Sequence, residues 1–209
     1  MSVSVKTPVR VLGKALFPLA LALALAPSVA TPALADGNAS ITGKVSATPP
    51  KYLGETVVYI KNAANTGGAH TASVDQKGMT FVPHVLAVTA GDTVNYLNHD
   101  SMPHNVFSSD NEGFNLGTFA PGETRSYTFK TAGLGYSELC SIHPEMLGYV
   151  FVAPSQFKAV VDGSGNFTIN NVPPGTYNVS VWNSKLKAGD QSVTVAAGAA
   201  SSVSFSLTH

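Results

Sequence analysis

The stretch Tyr136-Ser137-Glu138-Leu139-Cys140-Ser141-Ile142-His143-Pro144-Glu145-Met146-Leu147-Gly148-Tyr149-Val150 constrains this 209-residue chain more than any other. It holds the only cysteine, then a histidine three residues on, then a methionine three after that. Both flanks read as strand, with a Gly-rich turn and Tyr136 before, and alternating Tyr149 and Phe151 after. Cys140 therefore leaves one strand, a tight loop carries His143 and Met146, and the chain returns along another. A loop that short aims a thiolate, an imidazole and a thioether at one point. Soft sulfur plus imidazole, with a weak axial thioether, suits copper cycling between Cu(I) and Cu(II), with zinc the alternative on the same donors. A lone strand cysteine is ordinarily a small buried hydrophobe. That reading leaves unexplained why Cys, His and Met share seven residues.

A trigonal site needs a second imidazole. Met102-Pro103-His104-Asn105-Val106 offers one, after the strand-like Thr93-Val94-Asn95-Tyr96-Leu97. Together the two segments resemble the copper loops of cupredoxins, the plastocyanin, amicyanin and azurin superfamily. The spacing Cys-x-x-His-x-x-Met, with proline after the histidine, is most similar to amicyanin. The resemblance implies one type 1 copper ion with His104, Cys140 and His143 as equatorial ligands and Met146 as the axial one. It also implies that Asn105 and Ser141, each beside a ligand, tie the two loops together by hydrogen bonds and temper the cysteine sulfur. Two positions depart from plastocyanins. Leu139 stands where they carry an aromatic serving a remote electron path, and Glu138 replaces an aromatic one position further back. Donor and acceptor therefore do not carry over from plastocyanin.

Residues 1–35 read as a secretory signal peptide. Lys6, Arg10 and Lys14 make a basic start, Ala15 to Ala26 is apolar, and Ala33-Leu34-Ala35 is a small-x-small cleavage site. The apolar run, broken by Pro18 and Pro27, is short for a membrane span. Cleavage after Ala30 and an uncleaved anchor are the alternatives. With no twin arginine, the general export route is expected, which places the protein in the periplasm or outside the cell, with no membrane span after cleavage. Removing the leader leaves 9 Lys and Arg against 12 Asp and Glu, a net charge near −3. So mild a charge, without a basic stripe, argues against nucleic acid and anionic membranes as partners. One cysteine excludes an internal disulfide, and a single thiol kept in an oxidising space fits metal ligation.

Low charge, short alternating runs and many Gly, Thr, Val and Ser predict an all-β chain. Residues 69–154 are expected to form a cupredoxin Greek-key β-sandwich. Within it, Met79 to Val88 reads as one strand entered through a bulge at Pro83. Residues 155–209 resemble carboxypeptidase regulatory-like (transthyretin-like, prealbumin-like) β-sandwich modules. The resemblance rests on the Asp162-Gly163 turn, the Pro173-Pro174-Gly175-Thr176-Tyr177 corner and the strand ending in Trp182. Such a module ordinarily starts with two strands of the kind seen at Ile41-Thr42-Gly43-Lys44-Val45 and Val57-Val58-Tyr59-Ile60. Residues 36–68 therefore read as its first strands, making a discontinuous sandwich with the copper domain inserted. A cupredoxin extended by N-terminal strands and followed by a truncated module is the alternative. His70 reads as an exposed linker residue. His84 reads as a rim histidine, with a role as a metal ligand or copper shield the alternative, and His99 is left outside the site.

A trigonal set with a long axial sulfur favours one-electron transfer over substrate turnover, so no enzyme activity is expected. The predicted function is an exported monomeric carrier of single electrons. Its redox partners would dock near the edge of His143, framed by Met102, Pro103, Ile142, Pro144 and Leu147, over the small interfaces of brief electron-transfer encounters. A copper-binding or delivery protein, and an adhesion or interaction module with accessory copper, are the competing readings.

Overall fold

The computed structural model describes residues 1–4 and 39–209; apart from its first four residues, the expected signal peptide lies outside them. The described chain is all-β, with sixteen strands and a single 3-10 turn at Pro50–Glu55. Among the described residues, no helix is long and apolar enough to cross a membrane.

One sandwich is built from residues 71–153. Its four-stranded sheet has the order β4 (Phe81–Val82), β3 (Thr71–Gln76), β6 (Thr93–Asn98), β9 (Thr124–Thr128). The facing sheet runs β5 (Val85–Thr89), β11 (Leu147–Ala153), β10 (Gly135–Leu139), β7 (His104–Ser108), β8 (Phe114–Phe119). The alternation in β6 buries Val94, Tyr96 and Asn98 and turns Thr93, Asn95 and Leu97 outward, as a half-buried strand requires. Val74, Phe81, Val106, Phe119, Phe129, Tyr136 and Val150 fill the core between the sheets.

Two elements differ from the sequence reading. The segment read as one strand across Met79 to Val88 is two, β4 and β5, in opposite sheets. Pro83, with no N–H to give a ladder, stands at the crossing and not at a bulge. The strand β8 was not foreseen, because Gly117 interrupts its alternation with a left-handed φ of 71°.

The second sandwich combines strands from both ends of the described chain. β1 (Ser40–Ala47) lies between β13 (Asn166–Ile169), antiparallel, and β16 (Ala200–Leu207), parallel. β2 (Thr56–Ile60) lies between β12 (Lys158–Val160) and β14 (Gly175–Asn183), both antiparallel, with β15 (Gln191–Val195) at the edge. Ile41, Val45, Val58, Ile60, Phe167, Ile169, Val179 and Phe205 form its core. A Cβ at Gly43 would sit 1.8 Å from the Val203 carbonyl oxygen and 2.7 Å from the Phe167 ring, so the centre of β1 admits only glycine.

The two sandwiches share an apolar seam. Val57, Val85, Tyr149, Phe151 and Ala153 are buried together, with Tyr59, Ala87 and Trp182 packed against them. The Trp182 indole stacks on Phe151 at 5.3 Å and 18°. Offset stacking of this kind adds on the order of 1 kcal/mol beyond the area buried.

Candidate metal centre

β7 begins at His104, and β10 ends one residue before Cys140. The two strands pair antiparallel, with Leu139 opposite Phe107. That register brings the start of one and the end of the other to the same end of the sandwich. The chain then turns, with the Met146 N–H donating to the His143 carbonyl at 3.0 Å, and re-enters the sheet as β11.

The ligand atoms of His104, Cys140 and His143 lie within 4.8 Å of one another. Cys140 Sγ is 4.0 Å from His104 Nδ1 and 3.9 Å from His143 Nδ1, and the two Nδ1 atoms are 3.0 Å apart. His104 is wholly buried and Cys140 and Met146 nearly so, whereas His143 is half-buried. Met146 packs in the same core cluster as Cys140. Three soft or borderline donors facing one another, without an ion pair among them, are the chemistry of a copper or zinc centre. The residues fit the metal that the sequence reading requires.

Asn105 links both loops. Its backbone N–H donates to Cys140 Sγ at 3.4 Å, and its side-chain oxygen accepts the Ser141 N–H at 3.3 Å. Its own amide nitrogen donates to Asn115 Oδ1 at 2.9 Å, which fixes the orientation of the amide. Ser141 thus enters through its main chain, while its side chain is exposed.

Two residues outside the expected ligand set matter here. Asp100 Oδ2 lies 2.8 Å from His104 Nε2, on the side of the ring away from the thiol. Its carboxylate also accepts the Gly78 and Met79 N–H groups, at 2.6 and 2.9 Å. Burial pushes this carboxyl up, but those N–H donors and His104 together hold it below the ordinary value. A carboxylate behind the ring keeps the proton on Nε2 and leaves the Nδ1 lone pair facing the thiol. An acidic residue four before His104 was the available signal.

The other is Glu138, 1 % exposed in the core between the sheets, with the Tyr96 hydroxyl donating to its Oε1. Burial pushes its carboxyl up to about 8, although the phenol pulls the other way. Strand alternation placed Glu138 on the same face as Tyr136 and Cys140, which was the signal.

The remaining histidines stand apart from this group. His84 Nε2 is 3.9 Å from Glu55 Oε1, and its ring meets Tyr149 edge-on at 5.4 Å. His99 Nδ1 lies 2.9 Å from Asp75 Oδ2, and His70 is exposed.

A β-sandwich with His, Cys and His converging at one end defines a class of copper-binding proteins, and comparison with known proteins agrees. Residues 68–153 match the family model described as copper binding proteins, plastocyanin/azurin family. The chloroplastic plastocyanin of Chlamydomonas reinhardtii is 33% identical over 102 residues, covering 43% of this chain and 70% of that protein. That of Tetradesmus obliquus is 29% identical over 141 residues, covering 62% and 94%. Among solved structures, amicyanin from Paracoccus versutus shows 25% identity and a TM-score of 0.37, covering 46% of this chain and 96% of that one. Residues 152–203 match a second family model, polysaccharide lyase family 4, domain II. The chain belongs to the plastocyanin/azurin family of copper-binding proteins.

Proposed function

We propose that this protein is an exported type 1 copper protein that carries single electrons between redox partners, with His104, Cys140, His143 and Met146 as the ligands. The observation that supports it best is the buried Cys140 sulfur, which faces two Nδ1 atoms from separate loops and accepts a backbone N–H. Copper held there supplies a one-electron Cu(I)/Cu(II) couple. The chain's own residues do the rest. Asn105 draws charge from the sulfur and ties the loops, and Asp100 fixes the tautomer and tilt of His104. Ligands held from two loops in this way have little room to rearrange when the charge changes.

His143 gives the site its edge. On the loops that carry the site, Met102 is 36% exposed, Ile142 43% and Leu147 36%, apolar surface suited to brief docking of donor and acceptor. The protein acts as a monomer, without catalytic turnover, in the periplasm or outside the cell. The optical and spin-resonance spectra of the copper-loaded protein in both redox states test this reading. A blue band that bleaches reversibly on reduction is expected. Copper passing to an acceptor without redox change would replace the carrier by a delivery protein.

Two substitutions probe individual ligands. Met146→Leu is expected to keep copper and raise the reduction potential in voltammetry. Stability should change by less than about 1.5 kcal/mol, since the swap conserves core volume; an unchanged potential removes the thioether from the site. His143→Gly is expected to leave an open edge that added imidazole fills, restoring the native spectrum. Indifference to imidazole places that histidine outside the ligand set.

Residues 36–68 and 155–209 are proposed to form one module of the carboxypeptidase regulatory-like kind around the copper domain, 69–154. The Tyr177 hydroxyl donating to the Pro173 carbonyl at 3.0 Å supports that kinship. Asp162, which caps its turn through the Ser164 and Asn166 N–H groups, supports it too.

A further inference from the structure

We propose that the cleft where the two sandwiches meet is a binding site for a neutral saccharide. The cleft has a volume of about 350 Å³, within the range of small-ligand sites, which favour such boundaries. Asp110, Asn111 and Ser137 line it from the copper sandwich, and Trp182, Ser184 and Lys185 from the other.

The chemistry of the lining selects the ligand. Asp110 uses Oδ2 to accept the Ser137 N–H at 2.7 Å, leaving Oδ1 to accept another donor. Asn111 donates Nδ2 to the Gly135 carbonyl at 2.8 Å, leaving its own carbonyl oxygen. Among the described residues, the Ser137 hydroxyl, the Trp182 indole N–H and the Lys185 ammonium make no side-chain hydrogen bond. Donors and acceptors therefore alternate around an aromatic wall, and one carboxylate balances one ammonium. Vicinal hydroxyls both donate and accept, and the C–H face of a sugar ring packs on an indole. An anionic ligand would meet Asp110, and a purely apolar one would strand these polar groups.

The wall is fixed in advance. Gly135 has no side chain, and a Cβ there would lie 2.4 Å from Trp182 Nε1, so the indole edge reaches the backbone of β10. Phe151 stacks on one side, and Tyr149 lies 6.0 Å away at a steep angle. Fixing these groups before binding reduces the entropy lost on association. None of this depends on copper, so the site stands or falls apart from the electron-carrier reading.

Trp182 is the only tryptophan in the chain, so intrinsic fluorescence reads the cleft directly. Maltohexaose, cellohexaose and the N-acetylglucosamine pentamer are each titrated into the whole protein, copper-loaded and metal-free, with calorimetry in parallel. At least one is expected to give a saturable fluorescence change, with the same affinity in both metal states. Asp110→Asn and Ser137→Ala should each weaken it about tenfold, the loss of roughly one hydrogen bond, while the copper spectrum and melting temperature hold. The proposal is overturned if none of the three saccharides gives a saturable response, or if both variants bind like the native protein. A response to the zwitterion glycylglycine and to no saccharide overturns it as well.

Discussion

Cys140→Ser abolishes the blue band, converts the spin-resonance spectrum to that of an ordinary oxygen- and nitrogen-bound copper, and lowers copper affinity by orders of magnitude. The expectation follows from the donor set. A thiolate is a soft, charged ligand that copper holds in both oxidation states, whereas a hydroxyl at the same place is hard and stays protonated at neutral pH. The surroundings also favour sulfur. Position 140 is 3% exposed among apolar side chains, so a serine hydroxyl there is desolvated, at a cost of about 1–3 kcal/mol unless it finds a partner. The Asn105 N–H, 3.4 Å from the sulfur, is the partner within reach, so the metal-free variant should melt only a few degrees below the native protein. Absorption, spin resonance and a melting curve on the same preparations separate the two effects. A surviving blue band would mean that the sulfur at 140 is not bound to the metal.

What the sequence discloses follows the range of the interactions involved. The nearness of Cys140 and His143 is legible because one short loop carries both, so their spacing is itself the geometry. Strand β6 is legible for a similar reason, since its inward residues Val94 and Tyr96 alternate locally with polar ones. The Asp100 contact with His104 is only four residues long, yet it needs the turn at Gly78 and Met79 to hold the carboxylate in place. The four-residue spacing hints at the pair, but nothing near it in the sequence announces the turn. The break between β4 and β5 is hidden because Phe81, Val85 and Val88 look like one apolar run, although they line cores from opposing sheets. Pairing partners are the least local property of all. Ile41 takes Ile169 on one side and Ser201 on the other, and nothing within β1 specifies either. The cleft at Trp182 belongs to the same category, as its two walls are separated by the fold and not by the sequence.

Glu138→Gln should change how stability depends on pH by several kcal/mol between pH 5 and 8. Burial raises the folded-state carboxyl to about 8, against an ordinary value of 4.5. The sign then follows. Below the unfolded value both states hold the proton and the contribution is fully present. Between about 4.5 and 8 the folded chain keeps a proton that the unfolded chain has released, so stability falls as pH rises. The slope is about 1.4 kcal/mol for each pH unit, or on the order of 4 kcal/mol across the window. Glutamine retains the shape and an oxygen that can accept the Tyr96 hydroxyl, but it has no proton to lose. Denaturant unfolding of both metal-free proteins between pH 5 and 8 is the measurement. The difference between the two curves is read and not either curve alone, because every ionisable group the two proteins share contributes equally to both. The two should lie close at pH 5 and diverge by several kcal/mol at pH 8, with the glutamine variant the more stable. Parallel curves would mean that Glu138 is ionised in the folded protein throughout, and that the Tyr96 hydroxyl donates to a charged carboxylate inside an otherwise apolar core.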